Sequence, residues 1–430
     1  MRRDRPPRSP RHPVSPTGLP SSGHDADPGR RLLLRTGIGA FAAAALGVAH
    51  RAPRAAEASV DLPMVNGRRR LVAYPGKRPL IVLTSRPPQL ETPFEVFDEG
   101  LLTPNDAFFV RYHHAGLPTS IDGDAHVIRI GGNAVAAPYE LTVAELRTAF
   151  QPVEVVAVNQ CSGNGRGLFE PRVTGGQLGN GAMGNARWVG ARLKDVLARA
   201  RPTAAARQVT FDGLDFALLG SGDFTKALDV AHAMDGEVLV AYQMNGAELP
   251  MLNGFPVRLV VPGYFGTYWI KHLSDIQVID HVYDGFWMKT AYRIPDDDCA
   301  CVEPGTAPRA TRPIGRFNVR SFITSLRDGA RLPAGQPVEV RGIAFDGGQG
   351  VREVAYSLDG GQSWRGATLG EDLGRYSFRG FRFGFTPQPG THDLRVRAWN
   401  RSGQSQPATP TWQPAGYMRN VVESVKVVAS

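Results

Sequence analysis

Apolar residues crowd rather than alternate in residues 153–158 (VEVVAV), which predicts a buried strand. That strand runs into Asn159, Gln160 and Cys161 before breaking at Gly163, Gly165 and Gly167. Upstream, residues 107–114 (AFFVRYHH) read as a short β run. Its period of two sends Phe109, Arg111 and His113 to one face and Phe108, Val110 and Tyr112 to the other. Further strands are expected over 80–84, 125–131, 208–211, 238–244 and 255–261. Helical signals are fewer. Thr142 and Glu145 have the spacing of a capping box, opening a helix through Phe150, and Leu193, Val196 and Leu197 mark another through Ala200. Residues 296–313 are polar and proline-containing, as a linker is. Beyond them β-formers cluster at 338–345, 351–357, 377–385 and 394–400, with turns at 359–361 and 401–403. This is the spacing of a β-sandwich, with Trp364 and Trp399 expected in its core and no catalytic cluster in that half. The chain thus divides into residues 1–58, an α+β region over 59–310 and a sandwich over 311–430.

The first segment changes how the charge is read. Residues 1–29 are rich in Pro, Ser and Arg and too poor in large apolar side chains to form a core. Arg30-Arg31, an apolar run over 36–48 and Ala56-Glu57-Ala58 follow, the pattern of a twin-arginine export signal with its cleavage site. The run is too short for an ordinary membrane-spanning helix, so no stable membrane span and a periplasmic location are expected. Residues 1–58 hold ten arginines against four acidic residues, so the formal charge of +9 falls to +3 without them. No basic stripe with interleaved aromatics remains, which argues against nucleic acid as a partner.

Three cysteines make a poor disulfide framework. Cys299 and Cys301 are one residue apart, a spacing that strains a direct bridge, and they are expected as exposed thiols near a domain edge. Neither C-x-x-C-H nor H-E-x-x-H occurs, so covalent haem and zinc find no support. Cys161 is the more informative thiol. A buried structural cysteine beside a glycine-rich turn is one reading. A soft-metal ligand with an anionic substrate held by Arg166 is the other. Arg111 and His113 on one strand face, and Lys271 after an aromatic cluster at 264–269, favour the second.

With these residues in view, the chain resembles the sulfite oxidase family of molybdenum enzymes, particularly its exported bacterial sulfite dehydrogenases. The collinear motifs FFVRYH (108–113), NQCSGNGRG (159–167), GNARW (184–188), FDGLD (211–215), AYQMNG (241–246), GFPVRLVVPG (254–263), WIKHLSDIQV (269–278), FWMKTAYRIP (286–295) and SLDGGQSW (357–364) carry the resemblance. It implies an α+β molybdopterin-binding domain followed by an immunoglobulin-like β-sandwich that dimerises. The family's molybdenum-ligating thiolate falls on Cys161, and a pyranopterin dithiolene supplies two further sulfurs. The anion-binding arginines fall on Arg111 and Arg166, and the active-site tyrosine on Tyr292, with His113 beside them. Cofactor contacts carry over to Phe109, Val110, Arg111, Tyr112, His113, Asp215, Asn253, Arg258, Trp269, Ile270 and Lys271. Asn253 stands where the family has a histidine, and the haem domain of the animal enzymes has no counterpart. The implied reaction is oxidation of sulfite to sulfate by oxygen-atom transfer, a sulfoxide reductase of the same cofactor fold being the alternative. With no haem, iron–sulfur or flavin signature in the sequence, electrons are expected to pass to an external c-type cytochrome. A homodimer, or a heterodimer with a cytochrome subunit, is the expected assembly.

Overall fold

The computed structural model describes residues 59–62, 67–72, 74–218 and 222–430. The export signal read at 30–58 lies outside the described residues. The described residues belong to one compact unit.

Three sheets and a few short helices build the first part. The central strand, Pro152–Gln160, pairs antiparallel with Met183–Arg192, which pairs in turn with Leu239–Met244, and Arg258–Val260 closes that sheet. Burial deepens along the central strand until its last five residues are all inside. A second sheet runs Lys226–Asp229, Gln208–Gly213, Leu273–Ile279, Val127–Gly131 and Tyr139–Thr142, with one parallel pair between Leu273–Ile279 and Val127–Gly131. A third ends at the short strand Val110–Arg111. The helix Val143–Thr148 begins as its sequence dictates. Thr142 Oγ1 accepts from Glu145 N–H at 3.2 Å while Glu145 Oε2 accepts from Thr142 N–H at 3.0 Å. It stops short of Phe150. Helix Leu193–Ala200 buries Leu193, Val196, Leu197 and Ala200, one face at helical spacing.

The C-terminal part is the expected sandwich, a four-stranded and a five-stranded sheet. Strand Gly390–Asn400 shows the reason, since Leu394, Val396, Ala398 and Asn400 point inward in strict alternation. That parity corrects one expectation. Trp399, an odd position, faces outward and is half-buried beneath Arg397, whose guanidinium lies 5.0 Å from the ring centroid. Trp364 is also half-buried, its indole N–H tied to Gly361 O in the hairpin turn. The sandwich has its own core around Val340, Val354, Leu394, Val396 and Val427. Phe317, Phe322, Ile343, Phe345, Tyr376 and Phe378 nonetheless belong to the core of the first part. The two parts therefore share a hydrophobic seam.

The expected linker is partly structured, because Arg293–Pro295 pairs with Thr311–Pro313. Cys299 and Cys301 form a disulfide there, against the expectation of free thiols. Ala300 takes a left-handed φ of +50°, curling the chain so that the two Cα atoms are 5.1 Å apart, an ordinary bridging distance. No helix among the described residues is long and apolar enough to cross a membrane.

Candidate active site

The central strand delivers Cys161 to the wall of a narrow cleft. The thiol is held by its backbone: Cys161 N–H donates to Ala182 O at 2.9 Å, and Cys161 O accepts from Asn164 N–H at 3.0 Å. The following turn needs glycine at one position and is crowded at another. Gly165 has φ +86°, and a Cβ at Gly163 would meet the Arg166 guanidinium at 2.8 Å.

Eleven of the residues singled out in the sequence line this cleft: Phe109, Arg111, His113, Cys161, Asp215, Asn253, Arg258, Trp269, Ile270, Lys271 and Tyr292. Val110 and Tyr112 do not, because the alternation that turns Arg111 inward turns them into a small apolar cluster with Leu80 and Leu90. Phe108, expected on that far face, does line the cleft. Arg166 stands beside the cleft rather than on its wall, its Nε–H donating to Ala415 O at 3.0 Å. Sequence reasoning missed Asn159, Ser162, Phe224, Leu252, Gly266 and Thr267 as wall residues. Asn159 and Ser162 flank the cysteine in the motif already noticed and were within reach of it. Phe224 and Leu252 arrive from segments with no local signal.

The cleft is cationic. Arg111, Arg258 and Lys271 face one carboxylate, Asp215, and none of the three forms an ion pair among the described residues. Their hydrogen bonds go to backbone carbonyls instead. Lys271 Nζ donates to Arg111 O at 2.9 Å, and Arg258 donates to Asn253 O at 2.8 Å and Trp269 O at 3.0 Å. Burial brings the Lys271 ammonium down to about 8 and the Arg258 guanidinium to about 10. An anion in the cleft would relieve both.

Asn253 is occupied on both sides. Its Oδ1 accepts from the buried Lys77 ammonium at 2.5 Å, and its Nδ2 donates to Phe109 O at 3.0 Å. The amide therefore braces the strand that carries Arg111, and one Nδ2 hydrogen remains for a ligand.

His113 and Tyr292 meet, ring nitrogen to phenol. Burial first, then the charges of Arg111 and Lys271, hold the imidazole well below its usual range, so it is neutral. Burial also raises the Tyr292 phenol, which keeps its proton. His113 is clamped by Phe224, stacked 3.8 Å from it, and by Trp287 edge-on at 5.0 Å. Tyr292 adopts φ +59°, rare for an aromatic residue and worth about 1–3 kcal/mol of strain, the kind of cost that persists where a side chain must be aimed.

Four buried polar atoms on residues lining this cleft have no hydrogen-bond partner among the described residues: Asn159 Oδ1, Ser162 Oγ, Arg258 Nε and Thr267 Oγ1. Leaving such atoms unpaired costs about 1–3 kcal/mol each, so the cleft is built to be filled by a polar ligand. A thiol beside a cationic wall with orphaned polar atoms suits an anionic, hydrogen-bonding cofactor that carries a soft metal. The residues present fit a molybdenum pyranopterin.

Comparison with known proteins agrees in family terms. The "Oxidoreductase molybdopterin binding domain" matches residues 114–287, and the "Mo-co oxidoreductase dimerisation domain" matches residues 311–430. Human mitochondrial sulfite oxidase is 33% identical over 375 residues, covering 83% of this chain and 67% of the human protein. Barley nitrate reductase [NAD(P)H] is 29% identical over 381 residues, covering 83% of this chain and 42% of that protein. Among solved structures, the sulfane dehydrogenase SoxCD from Paracoccus pantotrophus superposes with a TM-score of 0.69 at 23% identity, covering 79% of this chain and 84% of that one. That likeness is one of fold.

Proposed function

This chain belongs to the sulfite oxidase family of molybdopterin oxidoreductases, and we propose that it oxidises sulfite to sulfate. The observation that carries the proposal is the convergence of Cys161, three unpaired cationic side chains and four orphaned polar atoms on one cleft. Cys161 would ligate the metal. Arg258, Lys271 and the orphaned atoms of Asn159, Ser162 and Thr267 would hold the pterin and its phosphate. When bound, the molybdenum pyranopterin supplies a two-electron centre for oxygen-atom transfer. Overall, sulfite and water give sulfate, two protons and two electrons. Arg111 draws the oxyanion into the cleft, and Arg166 adds positive charge beside it. Tyr292 has one phenolic hydrogen, which would turn to an oxygen of the bound ligand, with neutral His113 at its back.

The two electrons pass to a separate c-type cytochrome in the periplasm, a reading supported by the twin-arginine pattern at Arg30-Arg31 and the lack of C-x-x-C-H in the sequence. Contacts of that kind are small and charge-steered, so turnover with the cytochrome falls as salt rises. The region 311–430 joins two copies of the chain, or a copy and its cytochrome subunit. The test is elemental analysis of the purified chain together with sulfite-dependent reduction of ferricyanide and viologen-dependent reduction of nitrate. About one molybdenum per chain with sulfite activity alone is expected. Nitrate reduction without sulfite oxidation would overturn the substrate, and rapid sulfite-driven oxygen uptake would overturn the external acceptor.

A further inference from the structure

We propose that Tyr417, contributed by the C-terminal sandwich, is a positioning residue for the oxyanion pocket, setting Arg166 and Tyr292 against each other from behind. The inference rests on the oxyanion reading of the cleft but not on which oxyanion is turned over.

The segment 415–418 is threaded into the site by four independent contacts. Arg166 Nε–H donates to Ala415 O at 3.0 Å. The Arg166 guanidinium lies 4.9 Å from the centre of the Tyr417 ring. On its other side Tyr417 stacks on Tyr292, with centroids 5.4 Å apart and planes 7° from parallel. Met418 N–H donates to Ser162 O at 3.2 Å, one residue from the cysteine. Between Ala415 and Tyr417 only glycine fits, because a Cβ on Gly416 would stand 2.4 Å from Val173 Cγ2 and 2.9 Å from Arg166 Cγ. A second device clasps the same turn. Arg320 is buried, and it donates to Gln160 Oε1 at 3.1 Å and to Asn180 Oδ1 at 3.0 Å. The sandwich therefore grips the cysteine turn by Arg320 and the arginine of that turn by Tyr417.

Among the described residues no carboxylate pairs with Arg166. Its Nε is tied to Ala415 O and one terminal nitrogen reaches Gly176 O at 3.5 Å, while the Tyr417 ring covers the guanidinium and holds a cation by its quadrupole. Because the same ring stacks on Tyr292, a shift of Tyr417 moves a cation and a phenol together. Removal of the ring should weaken anion binding more than it slows the chemical step.

The experiment uses the full holoenzyme with Tyr417→Met, which removes the ring but keeps a long apolar side chain, and Tyr417→Phe, which keeps the ring. Two readouts are taken: the sulfite KM and kcat, and the dissociation constant for sulfate by titration calorimetry, which reads the pocket whatever the enzyme turns over. For Tyr417→Met, KM and the sulfate constant should both rise about 2- to 30-fold, the range of a partly desolvated cation–aromatic contact, with kcat changed less. Tyr417→Phe should stay within about threefold of the parent. In an Arg166→Gln background, Tyr417→Met should add little, because the two act on one contact. A folded Tyr417→Met enzyme with unchanged sulfate binding would overturn the proposal, as would equal and additive losses in the Arg166→Gln background. Tyr417→Leu serves if the methionine variant does not fold. Absence of sulfite turnover in the parent would count against the sulfite reading alone, since sulfate binding would still report on Tyr417.

Discussion

The cleft and the sandwich spend their arginines in opposite ways. On the sandwich surface Arg395 pairs with Asp393 at 2.8 Å, and both side chains are partly exposed. In the cleft Arg111, Arg258 and Lys271 sit among aromatic rings with carbonyls for partners, and burial lowers the last two. Self-sufficient pairs make a surface that needs nothing further. Unpaired buried cations make a site incomplete without an anion. The contrast separates a part that holds the fold from a part that waits for a ligand.

The hardest way to break the contrast is at its metal-binding end. Cys161→Ser should keep the fold and abolish sulfite turnover, since a neutral hydroxyl is a poor donor to a soft centre. Full activity in that variant would remove the cysteine's role. Arg111→Gln comes next. Loss of one charge-assisted contact lowers kcat/KM for sulfite by about 10- to 150-fold, measured at low ionic strength.

Acid titration probes the buried histidine that follows Lys271 in the chain. His272 is buried, accepting from Tyr112 O–H at 2.7 Å and donating to Phe255 O at 2.6 Å, and burial takes it down to about 3. A folded value below the unfolded one means that its stabilisation is fully present above about 6.5 and lost as pH falls toward 3. Between pH 6.5 and 5 the parent should lose about 2 kcal/mol more than His272→Gln, read from urea midpoints. Burial raises Glu91 to about 7, which acts in the opposite direction, but both proteins carry it and it cancels. Equal acid limbs would show that the imidazole is not held neutral. On the sandwich side, Arg395→Ala should cost only about 0.2–1 kcal/mol and leave sulfite turnover unchanged. A large kinetic effect there would erase the distinction.

How much of this was legible in the sequence follows the range of the interactions. The central strand, the capping box at Thr142 and the inward face of Phe109, Arg111 and His113 are local patterns, and each reads directly from spacing. Contacts closed over a hundred residues or more do not. Arg320 is an arginine within an apolar run, Val319 to Ile323, and that oddity was the available signal for a buried cation reaching Gln160. Tyr417 lies in a loop without β or helical periodicity, and only its stacking on Tyr292 reveals it. The sandwich half, in which no catalytic cluster was expected, thus sends one ring against a residue of the cleft wall. Trp399 was misread because size was weighed above parity, and Cys299–Cys301 because the left-handed turn at Ala300 is invisible in the sequence.

The central claim is that the thiol ending the buried strand belongs to a molybdenum centre in the cleft. Molybdenum K-edge absorption of the purified chain and of Cys161→Ser, each normalised to its metal content, tests it most directly. The parent should show three sulfur ligands, one from the protein and two from the pterin, and the variant two. An unchanged sulfur count in Cys161→Ser, or a purified and folded parent that carries no molybdenum, would contradict it.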